Sequence, residues 1–387
     1  MLNALVKFFS SLKLTVVLLA LGTLLVFCGT IAQVDMGLYR AQNEFFRSFY
    51  VWWRPESFKF LFLRTFPIPI LLPGGYLVGG LLLINLFVAH LRYYKTGWRK
   101  VGIAMIHLGV VLLLLGQLMT DLLSKESMMH IRVGGSANYS EATRRYELAI
   151  IDKSESQGDK VVAVPENKLA SGASISNPDL PFQIKVNAYY PNSELTTTPT
   201  NGFAEIKTSS GSTGLWWRQL GRETQMDRRD MPSGMVELTT PTGSLGSIFV
   251  SSMTQPQRFN VGNHSYELSL RPERFYKPFS LNLLEFKFDR YPGTDTPKNF
   301  SSRVRLQRPG TGEDREVLIY MNNPLRYNGE TYYQADWDHE DEKGTILQVV
   351  HNPSWLTPYL SCIMVGLGLV YQFGWHLVEF IMKRRIA

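Results

Sequence analysis

The chain has 387 residues, 45% of them hydrophobic, and a formal net charge of +7 at pH 7. Its two cysteines, Cys28 and Cys362, both lie inside apolar runs, which excludes a disulfide-stapled domain, a thiolate metal site and CxxC redox chemistry. No CxxCH occurs, so the chain is not itself a c-type cytochrome.

A first apolar run covers 14–32, close to the ~20 residues that a helix needs to cross a bilayer. Lys7 and Lys13 precede it as they would in a secretory leader, but the run is longer than a leader's core, and an uncleaved anchor is expected. Residues 34–75 form no span. They are rich in aromatics and arginine (Phe45, Phe46, Arg47, Tyr50, Trp52, Trp53, Arg54) and then in proline (Pro67, Pro69, Pro73). That composition suits an amphipathic segment in the outer interface, where aromatic rings prefer the headgroup layer. A loop packed on the large domain is the alternative.

Runs 76–91 and 101–123 form a predicted hairpin of spans, and a fourth run, 356–381, closes the chain. Between them the sequence reads as strands. LNLLEFKFDRY puts Leu284, Phe286 and Phe288 on one face and Glu285, Lys287 and Asp289 on the other, the period of two of a half-buried strand. Similar runs at YELAII, FQIKVNAYY, FAEIKT, MVELTT, SYELSL, RVRLQR, EVLIYM and TILQVV are separated by Gly, Pro, Asn and Asp turns. The expected fold is a membrane protein of four transmembrane α-helices, with a large exported antiparallel β-rich domain inserted between helices three and four. Its parts are a tail and first helix (1–33), an outer interfacial loop (34–75), a helical hairpin (76–123), the β-rich domain (124–355) and a fourth helix with its tail (356–387). Prolines 165, 178, 181 and 191 and the polar stretch 209–233 mark a boundary near 195–235 between two possible lobes.

Charge placement sets the orientation. Lys7, Lys13, Arg92, Lys95, Arg99, Lys100, Lys383, Arg384 and Arg385 all lie in short segments free of acids, so both termini are expected in the cytoplasm. Residues 125–355 hold 26 Lys and Arg against 28 Asp and Glu, so the net charge comes from the segments flanking the spans. It is a topology signal, and no nucleic-acid partner is expected.

Three histidines fall in the spans: His90, His107 and His376. An ionisable side chain in hydrocarbon is costly, so function is the default reading. His107 lies seven residues past Lys100, ~10 Å inside the boundary at 1.5 Å per residue. His90 sits near the boundary, and His376 is placed to pair with Glu379 on its own helix. Gly102, Gly109 and Gly116 recur every seven residues and form a seam for close helix approach. His107 points away from that seam, which leaves its face for a ligand or a second protein. His130, His264, His339 and His351 are expected to be surface or turn residues, His351 being the best placed of them for an outer-face role.

SLKLTVVLLALGTLLVFCGTIAQVDMGLYRAQ, NLFVAHLRYYKTGWRKVGIAMIHLGVVLLLLGQL, and NNPLRYNGETYYQADWD followed by GTILQVVHNPSWLTPYLSCIMVGLGL resemble the ResB (CcsB) family of cytochrome c biogenesis proteins, in the same order along the whole chain. The resemblance implies a multi-pass protein of the bacterial inner membrane, with its large domain on the periplasmic or outer side. It implies a subunit of the System II cytochrome c synthetase, non-catalytic alone, acting with a ResC/CcsA-type membrane partner. It further implies that haem b is carried across the bilayer and delivered to CxxCH motifs of apocytochromes c. His107 matches the family's histidine in the third span, an axial ligand of the haem iron. The partner's tryptophan-rich haem motif is absent here, so a separate partner subunit is expected. Apolar walls of Ile103, Met105, Ile106 and Leu108 suit a macrocycle, and Arg92, Arg99 and Lys100 could meet its propionates. His90 and His376 are candidate further ligands. Two other readings stand beside this one: a membrane b-type cytochrome with haem held between His107 and His376 or His90, and a cofactor-free membrane-anchored scaffold for an exported client.

Overall fold

The computed structural model describes residues 2–54, 69–93, 97–154, 158–208, 214–226, 228–294, 297–339 and 341–386. The chain divides into two compact units, one of residues 1–125, 224–226 and 352–387, the other of residues 126–223 and 227–351.

The first unit is helical. An eight-residue helix α1 (Leu2–Phe9) breaks at Ser10 and Ser11 before the long apolar helix α2 (Leu12–Met36). A short helix α3 (Leu38–Ala41) continues into a wide π-type turn over Gln42–Phe46. The hairpin is α4 (Gly75–Tyr93) and α5 (Val101–Leu123), and α6 (Thr357–Ile386) closes the chain. Four of these helices are long and apolar enough to cross a membrane, matching the four runs read from the sequence.

The described part of 34–75 packs on α2. Tyr50–Trp53 pairs antiparallel with Ile70–Pro73, and Phe45, Val51, Trp53 and Leu72 join Leu25, Cys28 and Ala32 of α2 in one core. Phe45 is fully buried, its ring 5.8 Å from that of Trp53 and edge-on to it. Alternation in YVWW decides this, since Val51 and Trp53 turn inward while Tyr50 and Trp52 stay exposed. Pro67 lies outside the described residues.

The second unit is antiparallel β. Its main sheet runs, in spatial order, through Glu313–Tyr320, Pro297–Arg308, His264–Arg290, Ser136–Asp152, Lys125–Arg132, Gly344–His351, Glu330–Trp337 and Leu325–Tyr327, with Gln257–Val261 and Lys160–Pro165 paired at its side. A four-stranded sheet built on Gln183–Tyr190 and Ser233–Thr240 and a small three-stranded one complete it. There are two large cores, but the expected boundary near 195–235 does not separate them. Ser136–Asp152 and His264–Arg290 run through both: Leu148, Ile150, Leu268 and Leu270 pack in one, Ala137, Phe279, Leu281 and Leu283 in the other. SYELSL and LNLLEFKFDRY, read as separate strands, are two ends of one 27-residue strand. Pro272 and Pro278 between them cannot donate to a ladder, and register shifts at Pro272/Arg274 and Tyr276/Leu281 let the strand continue past them. The three-stranded sheet is formed by Ser193–Thr196, Ala204–Glu205 and Trp216–Gln219, and its Trp217 packs on Ile206 and Phe249.

Candidate functional site

The glycine face of α5 packs within the chain, as its sequence predicts. A Cβ added at Gly109 would lie 2.6 Å from Val365 Cγ2 and 3.1 Å from the Ser361 carbonyl; one at Gly116 would lie 2.4 Å from Thr357 Cγ2. At Gly102 it would lie 2.7 Å from the Gly368 carbonyl, so all three glycines press against α6. The Ser361 hydroxyl donates to the Gly109 carbonyl at 2.5 Å, fixing the register of the two helices.

His107, on a different face of α5, is half-buried and faces α4. Its ring centre is 6.0 Å from that of His90, with the planes at 78°. Both line a groove of about 400 Å³ together with Leu12, Leu86, Ala89, Tyr93, Ile103 and Ala104. Ser10, Thr15, Asn85 and Lys100 complete its lining, Lys100 as its one cation outside the histidines among the described residues.

The remaining candidates separate from this groove. Arg92 donates to the Ser10 hydroxyl at 3.0 Å and lies over the Tyr93 ring, so it is occupied with the α1–α2 break. Arg99 sits on the exposed turn Trp98–Lys100 and does not line the groove. His376 is exposed on α6, where Nε2 meets Gln372 Nε2 at 2.9 Å; Glu379, its expected partner, instead faces Lys383 at 3.6 Å. The i−4 neighbour on the helix takes the imidazole before the i+3 carboxylate does. Of the four histidines outside the spans, His264 meets Asp152 at 3.0 Å, His339 meets Asp336 at 3.2 Å and His351 meets the Gly329 carbonyl at 3.2 Å. Burial is the largest influence lowering the His130 pKa.

Two polar residues inside the helices escaped the sequence reading. Asn85 is 2% exposed, and its amide donates to the carbonyls of Phe9 (2.7 Å) and Ser11 (3.2 Å) while its oxygen accepts from the Thr15 hydroxyl (2.6 Å). At the other end of the hairpin, Asp121 accepts from Arg47 Nε at 2.7 Å and from the Tyr76 hydroxyl at 2.5 Å, at the polar end of an apolar crevice of about 810 Å³. The signal was available: a polar side chain within an apolar run.

Among the described residues, no group of three or more His, Cys, Asp or Glu could hold a metal ion. Two imidazoles with apolar walls are a donor set that leaves the other coordination positions to the ligand's own atoms, as a metalloporphyrin requires and a protein-caged zinc does not.

Residues 239–352 match the model of the ResB-like family. The chain is similar to Protein NrfI of Wolinella succinogenes, 26% identical over 284 residues that make 72% of this chain and 28% of that protein. It is also similar to Cytochrome c biogenesis protein CcsB of Synechococcus sp. strain CC9311, 47% identical over 58 residues (15% of this chain, 13% of that protein), and to CcsB of Synechococcus elongatus, 31% over 96 residues (24% and 21%). The matched part of the chain thus spans less than a third of the length of each of these relatives.

Proposed function

With the ResB (CcsB) resemblance shown by the family model and the curated relatives, we propose that the chain serves cytochrome c biogenesis as a membrane subunit that holds haem b. The subunit hands haem on, with a ResC/CcsA-type partner, to apocytochromes c outside the cytoplasmic membrane. The observation that carries this reading is the His90–His107 pair in its apolar groove. A metal–imidazole bond is about 2 Å long, so two imidazoles that share one metal must stand within several ångströms of each other. The observed separation of 6.0 Å fits that requirement.

Bound there, haem would supply an iron open to imidazole nitrogens, and His107 and His90 would be the residues that hold it. The residues of this chain do the holding. His107 and His90 offer ring nitrogens, and Leu12, Leu86, Ala89, Ile103 and Ala104 give the groove apolar walls. Lys100 offers a charge-assisted contact to a propionate in the groove, and the basic residues around Lys100 place it on the cytoplasmic side. Arg92 and Arg99 are left to headgroups and to the helix break.

Both histidines belong to one chain, and this favours a second reading, a b-type cytochrome that keeps its haem. Purification with and without the suspected partner, followed by haem absorption spectra, separates the two. Haem whose occupancy depends on the partner supports the synthetase subunit, and full occupancy in the lone chain supports the cytochrome. A complex that carries no haem in either preparation ends both.

A further inference from the structure

We propose that Asn85 is a positioning residue for the His90–His107 groove: it ties the break between α1 and α2 to α4 and so sets the groove's wall at the width the two imidazoles need. The proposal rests on the haem reading of that groove and concerns how the groove keeps its shape.

A carboxamide in a span is costly unless its polar atoms are used. Asn85 uses all of them, on the Phe9 and Ser11 carbonyls and the Thr15 hydroxyl. These partners bracket the break, where the end of α1 leaves carbonyls without a helical partner. Two turns along α4, Arg92 holds Ser10 from the same side, so the break is fastened at two points. Asn85, Leu86, Ala89, His90 and Tyr93 form one strip of α4, and that strip together with Ser10, Leu12 and Thr15 lines the groove opposite Ile103, Ala104 and His107. The three bonds of Asn85 go to Phe9, Ser11 and Thr15, and through them it decides how far the α1–α2 break stands from the imidazoles. A leucine of similar size would suit hydrocarbon better and would leave that distance to packing alone.

The test uses the full-length chain in nanodiscs, with copper(II) as the first probe and haem as the second. Copper held by two imidazoles is read by electron paramagnetic resonance. The wild-type chain is expected to bind one copper through two nitrogens, and His90→Ala and His107→Ala to lose that signal. Asn85→Leu keeps both histidines, and copper affinity is expected to fall about tenfold, the scale on which outer contacts act on a metal site. Its bound haem is expected to shift from a six-coordinate low-spin spectrum to a five-coordinate one, and added imidazole to reverse the shift. Thr15→Val removes one of the three bonds and is expected to weaken copper in the same direction and by less than Asn85→Leu; it carries the test if Asn85→Leu does not accumulate. Unchanged copper affinity in these variants overturns the proposal, as does a wild-type chain that takes no copper through both rings. If copper responds as expected while the wild-type chain takes up no haem, the haem reading falls and the positioning role of Asn85 stands.

Discussion

His90 and His107 face each other across two antiparallel helices, with ring centres 6.0 Å apart and planes at 78°. The glycine seam of α5 makes this possible, because it spends a different face of that helix on α6. The packing face and the histidine face therefore fail in different ways when altered.

His107→Ala removes one of the two rings without adding bulk to the seam. Haem content of the purified complex is expected to fall at least about tenfold, with loss of cytochrome c maturation in cells. Imidazole at millimolar concentration is expected to restore part of both. His90→Ala is expected to act in the same direction, and normal haem spectra in both variants would remove the pair as a ligand site.

Gly109→Leu places bulk where a single Cβ already meets Val365 at 2.6 Å. Overpacking of this kind costs about 1–3 kcal/mol. The expected defect is a low level of folded protein in membranes, untouched by imidazole. A variant that accumulates normally and loses only haem would contradict the division of faces.

Gly329 follows Asn328 in a two-residue turn between Leu325–Tyr327 and Glu330–Trp337, with φ of +77° and +51°. Valine there costs about 1–2 kcal/mol or more, since the left-handed region crowds its branched side chain. Trp337, packed at 4.7 Å from Phe288 and 5.4 Å from Phe300, should also be missed when replaced by alanine. Limited proteolysis of the full chain is expected to cut the β-rich unit faster in both variants. Resistance to protease combined with arrested maturation would instead mark this hairpin as a docking surface.

The Ser154 hydroxyl and amide, with the His264 ring, hold the Asp152 carboxyl below its ordinary range. A depressed carboxyl pKa contributes stability that is present above about pH 4, the unfolded value, and is lost as pH falls through the folded value. Asp152→Asn is therefore expected to lower the melting temperature at pH 7 and to narrow the gap to wild type below pH 4. A gap that stays constant with pH would remove this contribution.

Orientation is tested by reporter fusions. Fusions after Lys383 are expected to read cytoplasmic and fusions near Gly310 exported, as the basic flanks require. The opposite result would place Lys100 on the outer side and reverse the proposed path of haem.

Local chemistry was enough for part of this protein. Four apolar runs define helices because a backbone in hydrocarbon must satisfy its own hydrogen bonds, and the spacing of Gly102, Gly109 and Gly116 defines a seam because helical geometry is regular. LNLLEFKFDRY was legible as a strand and Asn328-Gly329 as a turn for equally local reasons, although a register shift at Leu283/Glu285 buries Leu283 and leaves Leu284 exposed, against the face that alternation predicts. The tertiary structure decided what those patterns meet. Which of three intramembrane histidines stand together depends on how α4 packs on α5, and no spacing within either helix encodes that distance. Arg92 was legible as a cation but not as a partner of Ser10, and Asn85 holds its place through residues 70 and more positions away. The two β-cores likewise share strands because register shifts carry a chain past its prolines, a consequence of neighbouring strands that a single segment does not contain.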